Sequence, residues 1–144
     1  MEIDPETGLV EVTGYTAVDD CGRAMEPAIV HGQIHGGVAQ GLGQVLGEQA
    51  VYDVSGQLLA GSFMDYPMPR ADTLPDIRVA LHPVPCRSNP LGVKGVGEAG
   101  TVGALPAAMN AILDALRRAG VEHLDMPASP ARVWEALREA GYSH

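Results

Sequence analysis

The segment from Ile29 to Glu48 limits the possible folds of this 144-residue chain most strongly, because it combines a helical apolar pattern with six glycines. Its apolar residues recur at helical spacing and form one stripe: Val30, Ile34, Val38, Leu42 and Val45. Each interior glycine costs an isolated helix up to about 1 kcal/mol relative to alanine. The segment therefore predicts a helix whose glycines allow the close approach of another backbone or of a ligand.

A second face of this predicted helix is polar. At about 100° per residue, Gln33, Gln40 and Gln44 fall on one narrow face. Four glycines line the flank of that face: Gly32, Gly36, Gly43 and Gly47. A solvated glutamine and a ligand-facing glutamine are equally compatible with this pattern at Gln33.

Two histidines of the same helix, His31 and His35, have the i, i+4 spacing that a pair of metal ligands can use. The intervening Gly-Gln-Ile offers no glutamate for an HExxH site. We interpret the pair as partly exposed helix residues.

The run from Lys94 to Gly103 surrounds one carboxylate, Glu98, with glycines. Glycine lets backbone approach a ligand closely, so an acid held there is placed for chemistry. Glu98 also lies just ahead of a predicted helix, where it would favour the positive end of the helix dipole. A third interpretation is a dinucleotide loop, since Gly95 to Gly100 satisfies GxGxxG, but no strand leads directly into it.

Strand patterns occupy two other stretches, Leu9 to Val18 and Asp76 to His82. The residues Gln49 to Asp53 and Gln57 to Ser62 predict a hairpin around a Val-Ser-Gly turn. From Pro83 to Gly103 the chain is rich in proline and glycine and predicts a long ordered loop, and loops of that length are usually functional or disordered.

Two further helices are predicted near the C-terminus. The first has Pro106 in its first turn, Gly120 just past its end, and an apolar stripe: Leu105, Met109, Ile112, Leu113 and Leu116. The second begins after the N-cap Ser129 and ends at Gly141. These elements predict an α+β fold with a small mixed sheet and about three helices, without βαβ alternation.

Charge and cysteine usage exclude several classes of function. The formal net charge is −9, and the few basic residues are scattered, which argues against nucleic acid as a partner. Cys21 and Cys86 lack the CxxC spacing of a metal site, so no metal ligand is predicted. We see no apolar run near the roughly 18 residues of a membrane span and no signal peptide, and we expect a cytoplasmic protein.

Four motifs, in order, resemble one family. They are VDDCGRAMEP at Val18 to Pro27, GQIHGGVAQGLG at Gly32 to Gly43, NPLGVKGVGEAGT at Asn89 to Thr101, and HLDMP at His123 to Pro127. Together they resemble the C-terminal part of the molybdopterin-binding large subunit of the xanthine dehydrogenase, aldehyde oxidase and aerobic carbon monoxide dehydrogenase family. We therefore expect residues 1–144 to be a C-terminal fragment of a molybdopterin-binding domain.

The resemblance implies roles for the residues singled out above. Glu98 matches the active-site glutamate of the family, which acts as the base while water-derived oxygen attacks the substrate. Gln33 matches a helix glutamine that hydrogen-bonds near the molybdenum and its pterin. The loop whose backbone lines the cofactor matches Lys94, Gly95, Val96 and Gly97.

The resemblance also implies a cofactor and partners. The cofactor is molybdenum-molybdopterin, in its cytosine dinucleotide form, and the substrate is an aldehyde, an N-heterocycle or carbon monoxide. The partners are the remainder of the large subunit and the iron-sulfur and FAD subunits or domains. Because the family's subunit is several times longer, we expect this chain to be inactive alone and to lack the cofactor. The alternative is a non-catalytic folded module that self-associates into a homo-oligomer.

Overall fold

The strands form two separate pairs in the computed structural model, which describes residues 1–142. In the first pair, β1 (Glu2–Ile3) and β2 (Val10–Glu11) are antiparallel. In the second, β3 (Tyr15–Asp19) runs parallel to β4 (Ile77–Leu81), with Ala17 opposite Val79. The α+β class is confirmed, but the sheet is divided into two small sheets.

The strand predicted from Leu9 to Val18 is split because its two halves pair with different partners. β2 pairs with β1, whereas β3 pairs with β4 and alternates its burial along the strand. Parallel strands need a crossover connection, and the crossover between β3 and β4 contains a helix, α1 (Pro27–Leu46). This is a single βαβ crossover, and the repeated βαβ alternation of a doubly wound fold is not seen among residues 1–142.

Helix α1 packs against α2 (Ala99–Arg117) through glycine. A Cβ atom added at Gly37 would lie 2.8 Å from the Thr101 nitrogen, and one added at Gly41 would lie 2.6 Å from the Ala104 Cβ. One added at Gly100 would lie 2.4 Å from the Ile34 carbonyl oxygen. Because the contacts advance along both chains together, the two helices run in the same direction. The close approach inferred from the glycine content is that of another helix backbone.

The core lies between the three helices. All five residues of the predicted α1 stripe are buried. The stripe of α2 is rotated from the prediction: Ile112 and Leu116 are buried, but Leu105, Met109 and Leu113 are only half-buried. Ala104 and Ala108 occupy the centre of the contact instead, because the close approach of α1 leaves no room for leucine there.

Helix α2 begins earlier than the sequence indicated. It starts at Ala99, so the preceding loop ends at Glu98 and not at Gly103. Pro106 consequently lies inside the helix, where it lacks the N–H that would bond to the Val102 carbonyl. With 19 residues and a mean hydropathy of 1.3, α2 has the length and composition of a membrane span, contrary to the sequence expectation. Five of its residues are buried in the core: Gly100, Ala104, Ala108, Ile112 and Leu116.

The remaining elements follow the sequence more closely. Helix α3 (Pro130–Glu139) begins after Ser129, as predicted. The expected hairpin is reduced to one antiparallel bridge between Tyr52 and Leu58, so its turn forms but its strands do not. From Val51 to Met68 most side chains are exposed.

Candidate functional site

The segment from Gly92 to Glu98 is held by backbone hydrogen bonds at its start, whereas the N–H groups at its end are unpaired among the described residues. Val93 forms a bridge with Gly22, and the Lys94 N–H donates to the Cys21 carbonyl at 2.9 Å. Beyond Lys94, the backbone N–H groups of residues 95–98 find no acceptor among the described residues. The chain thus presents a row of free donors immediately before α2.

Glu98 occupies the N-cap position of α2, but its carboxylate makes no capping hydrogen bond. Only its carbonyl takes part, accepting from the Val102 N–H at 3.1 Å. The side chain is exposed. Glu98 is therefore a helix cap by its position and by the interaction of its charge with the α2 dipole. Its two carboxylate oxygens form no capping bond and are available for another role.

The glutamine face of α1 lies beside the start of α2. Gln33 directly precedes Ile34, the residue whose carbonyl faces Gly100, and its side chain makes no hydrogen bond to any described residue. Two α1 turns later, Gln40 accepts a hydrogen bond from the Thr101 hydroxyl at 3.3 Å. The helix crossing thus brings the turn that carries Gln33 alongside the turn that follows Glu98.

The donor set of this region fits a polar, anionic cofactor. A Cβ atom added at Gly32, Gly36, Gly95 or Gly97 would meet nothing within 4 Å, so their backbone is open on one side. The free N–H groups of residues 95–98 and the positive end of the α2 dipole favour negative charge there. The residues present therefore fit the phosphate-bearing pterin that the resemblance implies.

A recess of about 240 Å³ lies between this loop and the start of α1, with Ile29, Val30, Val93 and Val96 among its lining residues. A larger cavity, of about 480 Å³, lies at the other end of α1, between Leu42, Leu46 and Leu74. Glu98 lines neither of them. The larger cavity is therefore not part of the candidate site.

The two helix histidines are not arranged as a metal pair. Both ring nitrogens of His35 face carbonyl oxygens, Nδ1 that of His31 at 2.7 Å and Nε2 that of Ile77 at 3.1 Å. His35 thereby ties α1 to β4. Within residues 1–142, no three side chains of the metal-binding types come together as a ligand set.

The two cysteines remain apart. Cys21 is buried, and Cys86 is half-buried with its Sγ 3.1 Å from the Ser88 hydroxyl. This hydrogen bond is the main cause of a lowered pKa of the Cys86 thiol. Among residues 1–142 no histidine hydrogen-bonds to it, so these residues do not form a cysteine-histidine pair.

Sequence reasoning missed Asp20, which the structure places at the base of the loop. Its Oδ1 accepts the N–H groups of Gly22 at 2.8 Å and Val84 at 2.9 Å, and its Oδ2 pairs with the Lys94 ammonium. The hydrogen bond from Lys94, followed by those from Val84 and Gly22, lowers the Asp20 pKa to about 2. The Asp-Cys-Gly order was the available signal, because aspartate two residues before a turn glycine often accepts its N–H.

Comparison with known proteins locates the chain in a family. The model of the molybdopterin cofactor-binding domain matches residues 1–75. The carbon monoxide dehydrogenase large chain of Hydrogenophaga pseudoflava is 40% identical over 139 residues, which are 96% of this chain and 17% of that protein. The nicotine 6-hydroxylase large subunit of Paenarthrobacter nicotinovorans is 42% identical over 138 residues, with the same two coverages.

Similarity to solved structures supports the same family. A Cu,Mo-CO dehydrogenase in its carbon monoxide reduced state matches with a TM-score of 0.94 and 34% identity over 99% of this chain and 18% of that one. Quinoline 2-oxidoreductase from Pseudomonas putida 86 gives 0.91 and 40%, over 95% of this chain and 17% of that one. The chain thus spans about a sixth of the length of these proteins. It belongs to the molybdopterin cofactor-binding domain family, within the group that contains carbon monoxide dehydrogenase large chains and xanthine dehydrogenase molybdenum-binding subunits.

Proposed function

We propose that this chain supplies the catalytic base and part of the cofactor pocket of a molybdenum hydroxylase, with Glu98 as the base. The observation that carries the proposal is the position of the Glu98 carboxylate, which is exposed and makes no capping bond, at the end of a segment, residues 95–98, whose N–H groups have no partner in the described part of the chain. The names of the matched relatives, among them a carbon monoxide dehydrogenase and a nicotine 6-hydroxylase, support this class of reaction.

The bound molybdenum-pterin group supplies the redox step and the site of oxygen activation. The chain's own residues supply proton transfer and binding. Glu98, in its carboxylate form, accepts a proton at an oxygen that no capping bond occupies. The backbone of Lys94, Gly95, Val96 and Gly97 lines the cofactor, and the N–H groups of the last three donate to it.

Gln33 completes this side of the proposed pocket. Its amide carries both donors and an acceptor, and neither end has a partner among residues 1–142. Placed on the α1 turn beside Gly100, it can hydrogen-bond to the same bound group as the loop. The cytosine dinucleotide form of the cofactor is part of the same proposal.

The proposed complete enzyme includes the remainder of the large subunit and iron-sulfur and FAD subunits, and it is cytoplasmic. Its substrate is an aldehyde, an N-heterocycle or carbon monoxide. The relatives are large chains or subunits of which this chain spans about a sixth. The substrate pocket is therefore completed outside these residues.

The test is Glu98→Gln in the full-length enzyme, because glutamine keeps the shape of glutamate but cannot accept the proton. Turnover should fall by roughly 10²- to 10⁴-fold while the molybdenum content stays unchanged. Glu135→Gln, on the exposed surface of α3, is the matched control and should leave turnover unchanged. Full turnover in Glu98→Gln would refute the role of base, and loss of molybdenum would assign Glu98 to cofactor binding instead.

A second candidate is a non-catalytic module that associates through its exposed apolar side chains. The exposed group from Val51 to Met68 favours it. The full-length protein separates the two candidates: loss of turnover in Glu98→Gln at unchanged molybdenum content supports the catalytic part, whereas a full-length protein that contains no molybdenum and shows no turnover supports the module.

A further inference from the structure

Asp20 joins three segments of the chain with one carboxylate. Through Oδ1 it holds its own turn, at Gly22, and the segment after β4, at Val84. Through Oδ2 it holds the side chain of Lys94, 74 residues further along the chain. Asp20 therefore lies where the end of β3, the loop after β4 and the start of the cofactor loop meet.

The backbone around this carboxylate is tightly docked. The Gly92 carbonyl accepts from the N–H groups of Arg23 at 2.9 Å and Cys86 at 3.0 Å. Gly22 has φ of +64°, and a Cβ atom there would lie 2.2 Å from the Gly92 oxygen, so only glycine permits this approach. The Lys94 N–H is the last backbone donor of the loop with a partner. The free stretch that ends in Glu98 starts at the next residue.

The Lys94 side chain is thus paired with another residue of the same chain. Its ammonium pairs with Asp20, and the two side chains are about one-third exposed. An exposed ion pair contributes little by itself. This pair differs because the same carboxylate also accepts two backbone N–H groups, which fix its orientation before Lys94 binds.

We infer that Asp20 is a positioning residue that, through Lys94, fixes the backbone from which the Gly95–Glu98 segment extends and so sets the place of the Glu98 carboxylate. The catalytic part of this inference rests on the proposed role of Glu98. Lys94 then serves the cofactor site through its backbone, while its ammonium is the counterion of Asp20. Asparagine at position 20 can still accept the two backbone N–H groups but removes the charge that holds Lys94, which makes Asp20→Asn a selective test.

The first experiment measures hydrogen exchange of the chain at residues 92–94, whose backbone N–H groups are hydrogen-bonded to the Asn89 carbonyl, the Asn89 side chain and the Cys21 carbonyl. Asp20→Asn and Lys94→Met should each speed exchange there about tenfold, the effect expected for loss of a charge-assisted hydrogen bond. The double variant should be no faster than either single one, because both remove the same interaction. Lys94→Arg keeps the charge and should exchange like the wild type.

Asp53→Asn is the matched control for this experiment. Asp53 also accepts backbone N–H groups, from Ser55 at 2.8 Å and Gln57 at 2.9 Å, but it lies in the exposed turn between Tyr52 and Leu58. Its variant should leave exchange at residues 92–94 unchanged. Wild-type exchange of this segment in Asp20→Asn would overturn the inference.

The second experiment uses the full-length enzyme. Asp20→Asn should lower kcat by up to about 10²-fold, as expected for a displaced catalytic group, with KM and molybdenum content near wild type. Lys94→Arg should retain most of the turnover that Lys94→Met loses. A merely structural role would instead lower molybdenum content and activity together, and that result would overturn the inference.

The two proposals fail in different ways. Retained turnover in Glu98→Gln refutes the proposed base, and with it the catalytic consequence of Asp20, whatever the exchange experiment shows. Abolished turnover in Glu98→Gln together with wild-type kcat in Asp20→Asn refutes only the positioning role.

Discussion

At the scale of single residues, the Glu98 side chain is placed where it contributes little to stability and remains available for function. The residue takes the N-cap position of α2, yet its carboxylate forms no capping bond. A helix gains little from such a side chain beyond the interaction of its charge with the dipole. Glu98 therefore occupies the N-cap position of α2 while its side chain adds almost nothing to the stability of the fold.

Glu98→Gln in this chain should change the free energy of unfolding by no more than about 0.5 kcal/mol, as for other exposed positions. Urea denaturation of the variant beside Glu135→Gln measures the difference. A true capping side chain would cost about 1 kcal/mol when replaced. A loss of that size for Glu98→Gln would show that the residue acts as a cap after all.

The charge of Asp20 contributes to the stability of the folded chain. Its pKa lies at about 2 in the folded chain, below its ordinary value of 3.8, so the folded state prefers the ionised form. The stabilisation is fully present above the ordinary value and is lost as the pH falls toward 2. Asp20→Asn should thus be less stable than the wild type at neutral pH, and the difference should shrink between about pH 4 and pH 2.

The measurement is the denaturation midpoint of both proteins as a function of pH. Lys94→Met should show the same convergence at low pH, because it removes the main cause of the lowered pKa. A difference between wild type and Asp20→Asn that stays constant down to pH 2 would contradict the pairing.

At the scale of elements, the effect of a glycine-to-alanine substitution on stability depends on whether that glycine lies in the contact between α1 and α2. Gly100→Ala would place a Cβ atom 2.4 Å from a backbone oxygen of α1, which the helix cannot avoid without moving. We expect this overpacking to cost about 1–3 kcal/mol. Gly36→Ala meets open space and should stabilise the chain by up to about 1 kcal/mol, through helix propensity alone.

Thermal unfolding of the two alanine variants measures both effects: the midpoint should fall for Gly100→Ala and rise for Gly36→Ala. Gly41→Ala should resemble Gly100→Ala, because its Cβ would lie 2.6 Å from that of Ala104. Equal effects of Gly36→Ala and Gly100→Ala would show that helix propensity, and not the helix contact, governs these positions.

At the scale of the whole molecule, apolar surface is concentrated between Val51 and Met68. Phe63 and Met64 are 86% and 93% exposed, and neither belongs to the core. Exposed apolar residues grouped in this way mark a contact with another protein surface. In the proposed enzyme, the rest of the large subunit provides that surface.

The isolated chain should therefore self-associate in a concentration-dependent way. Replacing Phe63 and Met64 by serine should shift sedimentation velocity profiles toward the monomer, with little change in the unfolding midpoint since both side chains are exposed. Replacing Trp134, which packs under Arg138 on α3, provides a contrast at a different surface. Association unchanged by the double serine variant would place the contact elsewhere.

The sequence alone determined the features that depend on local chemistry. Helical spacing predicted the apolar stripe of α1, the N-cap Ser129 predicted the start of α3, and alternation of apolar residues predicted the strand β4. The glycine excess of α1 predicted a close approach, and the ordered motifs predicted the family. Each of these follows from residues near one another in the chain.

Only the tertiary structure decided which partner fills each of these contacts. Of the α1 glycines, Gly37 and Gly41 face α2. Helix α2 begins at Ala99, and its buried face has Ala104 where it contacts Gly41. The division of the Leu9–Val18 stretch depends on β1 and β4, and the pairing of Asp20 with Lys94 spans 74 residues. Such contacts depend on the folded arrangement of distant segments, because the periodicity of one segment carries no information about which other segment will lie against it.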